Sequence, residues 1–185
     1  SDTFVDEMLE ACELSHCLGS GGYGKVFLTE PDMLHNHDSI AVKVIKKDRL
    51  DTETNTRIKL KQHSIRNIIA ELLALRRLKD SPNINQLHFF SDNPDHVIFA
   101  IAFARHGSLY DLQDAMVNVE ECFSLNMILS LARDITTGIT HLHRNNIIHR
   151  DIQDANIFID AEGGAVIGDF GLCAIAPRGL YGGVM

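Results

Sequence analysis

The sequence lacks most of what would mark a secreted, zinc-bound or membrane-spanning protein. Only four of its 185 residues are cysteine: Cys12, Cys17, Cys122 and Cys173. No two of them form a C-x-x-C pair, so neither a disulfide framework nor a zinc framework is spelled out, and the usage suits a reducing, cytoplasmic setting. The ten histidines include His141, His143 and His149. No cysteine or carboxylate set completes a site around them at zinc-ligand spacing. The longest apolar run, Val97 to Ala104, is far short of the roughly 20 residues that cross a bilayer. No signal-peptide pattern is present. Internal repeats and low-complexity tracts are absent too, which excludes solenoid and fibrous architectures. Basic charge is in deficit, with 17 Lys and Arg against 25 Asp and Glu, a formal net charge of -8, and this argues against nucleic acid as the main partner.

What is present is ordinary globular composition, 45% hydrophobic and 23% charged, in a chain long enough for one domain or two small lobes. The charge is uneven. Lys43 to Lys79 holds eleven basic and four acidic residues, a local excess of seven. Such a run is usually a solvated face; its alternative is a docking surface for an acidic partner.

Residues 1–13 are acidic and read as a lead-in helix or tail. Leu14 to Val44 is strand-like, broken by Gly19–Gly24 and by a polar turn from Glu30 to Ser39. Asp51 to Lys61 reads as a loop. Ile65, Ile68, Leu72, Leu75 and Leu78 recur at helical steps. Two buried strands follow, NINQLHFF (83–90) and HVIFAIAF (96–103). A long amphipathic helix then carries a stripe of Ile128, Leu131, Ile135, Ile139 and Leu142. Two short strands, Asn156–Asp160 and Ala165–Asp169, flank Ala161-Glu-Gly-Gly. A hinge is expected at Phe103-Ala-Arg-His-Gly107.

Four constellations carry chemistry. Gly19, Gly21 and Gly24 lie in G-x-G-x-x-G spacing, which lets backbone approach a phosphate. The spacing is shared with a dinucleotide-binding turn, but that turn opens a helix, whereas Lys25-Val-Phe-Leu continues as a strand. In IAVKVIKK, alternation puts Ala41, Lys43 and Ile45 on one face and Ile40, Val42 and Val44 on the other. Glu71 falls within the apolar stripe of Ile68, Leu75 and Leu78, where a carboxylate needs a cation. Lys43 is the obvious candidate, with Arg77 and Lys79 as alternatives. The fourth constellation joins Asp151 and Asn156 to Asp169 through the hairpin. Pairing Asp160 with Ala165 would set Asn156 opposite Asp169, two oxygen donors suited to Mg²⁺.

Taken in order, Gly19-x-Gly21-x-x-Gly24-x-Val26, Ala41-Val-Lys43, Glu71, His149-Arg-Asp151-x-x-x-x-Asn156 and Asp169-Phe-Gly171 resemble the motif set of eukaryotic-type protein kinases. The resemblance covers residues 14–185. It implies an α+β, bilobal fold: a five-stranded antiparallel N-lobe with one helix (about 14–101), a hinge (about 102–106) and a partial, mainly helical C-lobe (about 107–185), with 1–13 as an extension. It implies an ATP-dependent, Mg²⁺-requiring kinase acting on a protein hydroxyl, Ser/Thr favoured over Tyr. The glycine loop would cover the phosphates. Lys43 would hold the α- and β-phosphates while paired to Glu71. Asp151 would accept the hydroxyl proton, and Asn156 and Asp169 would hold the metal. Val26, Ala41 and Phe158 match positions around the adenine, Ile101 the back of its pocket, and Ala102 to Ala104 the main chain at its edge. Leu75, His149 and Phe170 match three members of a stacked apolar column, whose fourth lies around Leu87. Arg150 matches an arginine that reads activation-loop phosphate, for which Tyr181 is the available acceptor in view. Cys173 reads as a small packing residue.

Two departures stand out. Gln153 occupies a position where serine/threonine kinases usually carry Lys. Its amide can donate to the γ-phosphate but brings no charge, so the expectation is slower transfer with ordinary ATP binding. After Gly171 only fourteen residues remain, without the family's later helices. The expectation is a cut or natural fragment with little activity of its own, and the alternative function is a pseudokinase-like binding or scaffold module.

Overall fold

The computed structural model describes residues 2–14, 17–21, 24–29, 39–47 and 55–177. The polar turn after Thr29, the tip of the glycine loop at Gly22-Tyr23, and Tyr181 lie outside the described residues. The chain divides into two compact units, Ser1–Arg66 with Leu87–Phe103, and Asn67–Gln86 with Ala104–Met185.

The first unit is built on a five-stranded antiparallel sheet in the order β1-β2-β3-β5-β4. Its strands are β1 (Cys17–Gly21), β2 (Gly24–Thr29), β3 (Ile40–Lys46), β4 (Leu87–Asp92) and β5 (His96–Ala102). The apolar alternation of β3 decides what each face does. Ile40, Val42 and Val44 form one core with Ile98 and Ala100 of β5. Helix α1 (Asp2–Leu14) closes this core. Its Val5, Met8 and Cys12 recur at three- and four-residue steps and are buried there, while Asp6, Glu7 and Glu10 face solvent. The acidic lead-in is thus a packed helix. Burial raises the Cys12 thiol to about 11, because an apolar setting disfavours the thiolate.

Strand β4 begins at Leu87, later than the expected Asn83, and is half-buried rather than buried. It sits at the sheet edge, which has one neighbour instead of two. Helix α2 (Asn55–Arg77) runs through most of Asp51 to Lys61, where the polar sequence predicts a loop. Asn55-Thr-Arg-Ile-Lys-Leu-Lys has adequate helix formers but no apolar stripe, so periodicity had nothing to detect.

The second unit contains α3 (Leu109–Asn118) and α4 (Leu125–Arg144). Helix α3 starts in a capping box. Ser108 Oγ accepts from Asp111 N, and the Asp111 carboxylate accepts from the Ser108 side chain and backbone. Those bonds hold the Asp111 carboxyl below its usual range. In α4, Leu131, Gly138 and Leu142 are buried and Ile135 and Ile139 half-buried. Ile128, expected in the stripe, is 48% exposed, beside exposed Leu125 and Leu129. The close approach of α4 to the rest of its unit is at its C-terminal half. A Cβ on Gly138 would lie 2.8 Å from Asn83 O and 2.8 Å from Ile167 Cδ1, so only glycine fits there without displacement.

Strands β7 (Ile157–Ile159) and β8 (Ala165–Ile167) form the expected hairpin, and β6 (Ile147–Ile148) pairs with β9 (Ala174–Ile175). Asn83 and Asn85 flank the hairpin. Asn85 N donates to Ile167 O (2.9 Å), Ile167 N to Asn83 O (2.9 Å), and Asn83 Nδ2 to Ala165 O (3.0 Å). Among the described residues no helix is long and apolar enough to cross a membrane.

Candidate active site

In the first unit, β2 and β3 place Val26 opposite Lys43, and β3 and β5 place Ala41 opposite Ile101 and Lys43 opposite Phe99. Lys43 leaves the sheet on the face away from α1. Its Nζ stands 5.9 Å over the centroid of Phe99, an attraction between the ammonium and the ring face. Phe99 is fully buried and meets Phe90 edge-on at 5.0 Å. Gly19 and Gly21 lie on β1, with Gly21 paired to Gly24 across the turn. Gly24 has φ +152°, and a Cβ there would run into the Val44 carbonyl. That position requires glycine whatever the loop binds.

Ala102 ends β5, and Ala102 and Phe103 belong to the first unit; the remaining predicted residues belong to the second. Glu71 is buried with Leu75 and Leu78, as the α2 stripe requires, while Arg77 and Lys79 are exposed. Ala104 is buried.

The loop between β6 and β7 gathers the charged groups. His149 is 3% exposed. Its Nε2 is 2.9 Å from Gly168 O. A carbonyl can only accept, so Nε2 carries the proton and Nδ1 is a bare acceptor. Among the described residues Nδ1 finds no hydrogen-bond partner. Burial lowers the His149 pKa, opposed by the Gly168 bond and by the charges of Asp169 and Asp151. The ring packs edge-on against Phe170 at 4.9 Å. Arg150 has φ +70° and turns its guanidinium back, with Nε donating to Leu172 O (2.6 Å) and Nη2 to Cys173 O (3.4 Å).

Asp151 is the hub of the loop. Asn156 Nδ2 donates to its backbone O (2.9 Å) and to its Oδ2 (2.8 Å). Gln153 Nε2 donates to Oδ1 and Oδ2, each at 3.1 Å. Both partners of Asn156 Nδ2 are acceptors, which fixes which end of the amide faces Asp151. Oδ1 of Asn156 then points away, and among the described residues it receives no hydrogen bond.

The hairpin register differs from expectation. Ile159 pairs with Ala165 and Ile157 with Ile167, and Gly168 N donates to Asn156 O (3.0 Å). Asn156 therefore faces Gly168, and Asp169 lies one residue beyond. The cause is the turn. Asp160 Oδ1 accepts from Glu162 N (3.1 Å) and Gly164 N (2.7 Å), and Asp160 N donates to Gly164 O (3.0 Å). The carboxylate organises its own tight loop and pairs Asp160 with Gly164. Asp169 has φ +52°, is exposed, and accepts from Gly171 N (3.3 Å) through Oδ1.

Gly168 had not been singled out from the sequence, yet it links these parts. Its N–H meets Asn156, its carbonyl meets His149, and a Cβ would come within 2.7 Å of Phe158 Cε2. The readable signal was a glycine immediately before the Asp169-Phe-Gly171 run.

The donor set suits a hard cation. An outward amide oxygen on Asn156 and the carboxylate of Asp169 are oxygen ligands of the kind Mg²⁺ takes beside substrate phosphates.

Residues 12–181 match the family described as "Protein kinase domain". The chain is 31% identical over 178 residues to serine/threonine-protein kinase PLK4 of Drosophila ananassae, covering 96% of this chain and 21% of that protein. It is 30% identical over 178 residues to PLK4 of Drosophila melanogaster, with the same 96% and 21% coverage. Serine/threonine-protein kinase STY46 of Arabidopsis thaliana is 28% identical over 170 residues, 92% of this chain and 26% of that protein. The chain thus spans about a fifth to a quarter of the length of these relatives. It belongs to the protein kinase family, with an α+β fold and serine/threonine kinases as its relatives.

Proposed function

We propose that this chain is the catalytic domain of an ATP-dependent serine/threonine kinase. The observation that carries the reading is the bond between Asn156 Nδ2 and Asp151 Oδ2, 2.8 Å, which ties the loop carboxylate to the hairpin base. A carboxylate held by neutral amides stays a competent acceptor. In the proposed step the substrate hydroxyl passes its proton to Asp151 as its oxygen bonds to the γ-phosphorus. The bond from that phosphorus to the β–γ bridging oxygen breaks, and ADP leaves. This is positioning and electrostatics rather than covalent catalysis by the protein.

The other roles follow the family pattern. The turn of Gly19, Gly21 and Gly24 would cover the phosphates, and Lys43 would engage the α- and β-phosphates with Glu71 as its counter-charge. Val26, Ala41, Ile101 and Phe158, with the main chain of Ala102 to Ala104, would receive the adenine. Asn156 and Asp169 would hold Mg²⁺, which supplies positive charge to the polyphosphate. The kinase domain is taken as 14–185 with 1–13 as an extension, its setting as the cytoplasm, and the basic 43–79 region as the place where a partner would dock.

Two measurements test this. Mg-ATP should raise the melting temperature of the protein, and Lys43→Met should abolish that rise. Radiolabel from γ-labelled ATP should appear on Ser or Thr of a protein substrate, slowly for this chain by itself, and vanish in Asp151→Asn. Binding without transfer would favour a pseudokinase. No binding would remove the kinase reading and leave only a scaffold module.

A further inference from the structure

Helix α4 is apolar on two sides. Leu131, Gly138 and Leu142 turn inward. A second row, Leu125, Leu129, Ala132, Thr136, Ile139 and His143, recurs at alternating four- and three-residue steps, the spacing of a seam between two helices. Apart from half-buried Ile139 this row is exposed, Leu125 at 69% and Leu129 at 58%. The hydroxyls along it are already bonded within the helix. Thr136 Oγ1 donates to Ala132 O (2.8 Å), and Thr140 Oγ1, at the edge of the row, donates to Thr136 O (2.7 Å). A helix that is apolar on more than its core side is built to be covered on both.

Charge indicates what covers the outer row, and in which direction. Exposed Glu120 and Glu121 precede the N-cap Ser124, and exposed His143 and Arg144 lie in the last turn. In a parallel pair of such helices each charged end would meet its like. In an antiparallel pair each end meets its opposite. The midpoint of the row is Ala132, its smallest side chain, which lets two helices approach closely there. About an axis at Ala132, Leu125 stands across from Ile139, Leu129 from Thr136, and Glu121 from the His143 and Arg144 end. We propose that two copies of this chain pair antiparallel through the outer row of α4. The row is its own complement, as a two-fold interface requires. From Leu125 to Thr140 it is about 24 Å long, and a strip about 12 Å wide gives about 300 Å² on each copy. Two such strips fall short of the roughly 1,200 Å² of a stable interface, so the pair is a weak, reversible dimer.

Sedimentation velocity of the full chain tests the pairing. The dimer should grow with concentration, with a Kd of about 10–100 μM. Leu129→Glu puts a charge into the row and should raise that Kd about ten-fold or more. Leu129 is exposed, so the variant monomer should keep the far-UV circular dichroism of the parent. Glu121→Lys and Arg144→Glu should each raise the Kd about three-fold, and the two together in one chain should return it to the parent value. A chain still monomeric at about 200 μM overturns the pairing and leaves the face to another protein. A dimer indifferent to Leu129→Glu refutes the surface. A double charge variant no tighter than either single one refutes the antiparallel direction.

Discussion

Replacing Gly138 by alanine sets two known effects against each other. Helix propensity alone favours the change, because alanine is better than glycine in a helix interior by about 0.8–1.0 kcal/mol. The surroundings oppose it. The new Cβ would stand 2.8 Å from the Asn83 carbonyl and 2.8 Å from Ile167 Cδ1. Relief to an ordinary contact of about 3.4 Å needs a movement of about 0.6 Å. Neither neighbour is free to give it. Asn83 O already accepts from Ile167 N at 2.9 Å, Asn83 Nδ2 is bonded to Ala165 O, and Ile167 has no exposed surface. Overpacking of this kind costs about 1–3 kcal/mol. The midpoint, less the propensity gain, leaves a net loss of about 1 kcal/mol, or about 2–4 °C in melting temperature for a chain of this size. Urea denaturation of Gly138→Ala should show this loss, with exposed Ser130→Ala on the same helix as a neutral control. If Gly138→Ala melts above the parent protein, propensity has won and the close approach of α4 to the hairpin is wrong.

Three further outcomes are expected. His149 has a folded-state pKa below its unfolded value near 6.5, so the unfolded chain binds more protons as pH falls below about 6.5. The stability it contributes is present above that pH and is lost as pH drops through the folded value. The cost of His149→Phe, measured by denaturation at pH 7.5 and 5.5, should shrink at the lower pH; a cost that grows on acidification refutes a buried neutral ring. Met8→Ala empties a fully buried position between α1 and the sheet and should cost about 2–5 kcal/mol; a loss under about 0.5 kcal/mol by thermal melting would mean α1 is not packed there. With a thiol reagent at pH 8, exposed Cys17 and Cys122 should be labelled quickly, while buried Cys173 and Cys12, the latter raised to about 11, should wait for unfolding. Equal labelling rates by peptide mapping would contradict that burial.

Much of the architecture could be read directly from pattern. The alternation of IAVKVIKK separated the faces of β3 correctly, because a strand buried on both sides must still send Lys43 somewhere a cation is tolerated. The spacing of Leu131, Ile135, Ile139 and Leu142 marked the inner side of α4. Pattern does not say how far along the helix its neighbours reach, and Ile128 continues the stripe past the last of them into solvent. Polar helical turns such as Asn55 to Lys61 carry no periodic signal. The hairpin register turned on one carboxylate. Whether Asp160 extends the ladder or caps its own turn is decided by hydrogen-bond geometry, and the outcome moves Asn156 from Asp169 to Gly168. The Gln153 contact was invisible for a similar reason. Sequence supplies the donor, and the fold of the loop decides which acceptor takes it.

The bonds from Arg150 to Leu172 and Cys173 bear on the exchange behaviour of the chain. With the Ile148 to Ala174 pairing and the bond from Ala176 N to Asn146 O at 2.8 Å, they lace the stretch after Asp169-Phe-Gly171 to residues 146–150, on the N-terminal side of Asp151. Segments joined in this way open together rather than separately. Deuterium uptake at residues 174–176 should therefore track uptake at 146–150, and Arg150→Ala should speed both. The stretch that follows Asp169 would thus behave as part of the Asp151 loop's own cooperative unit.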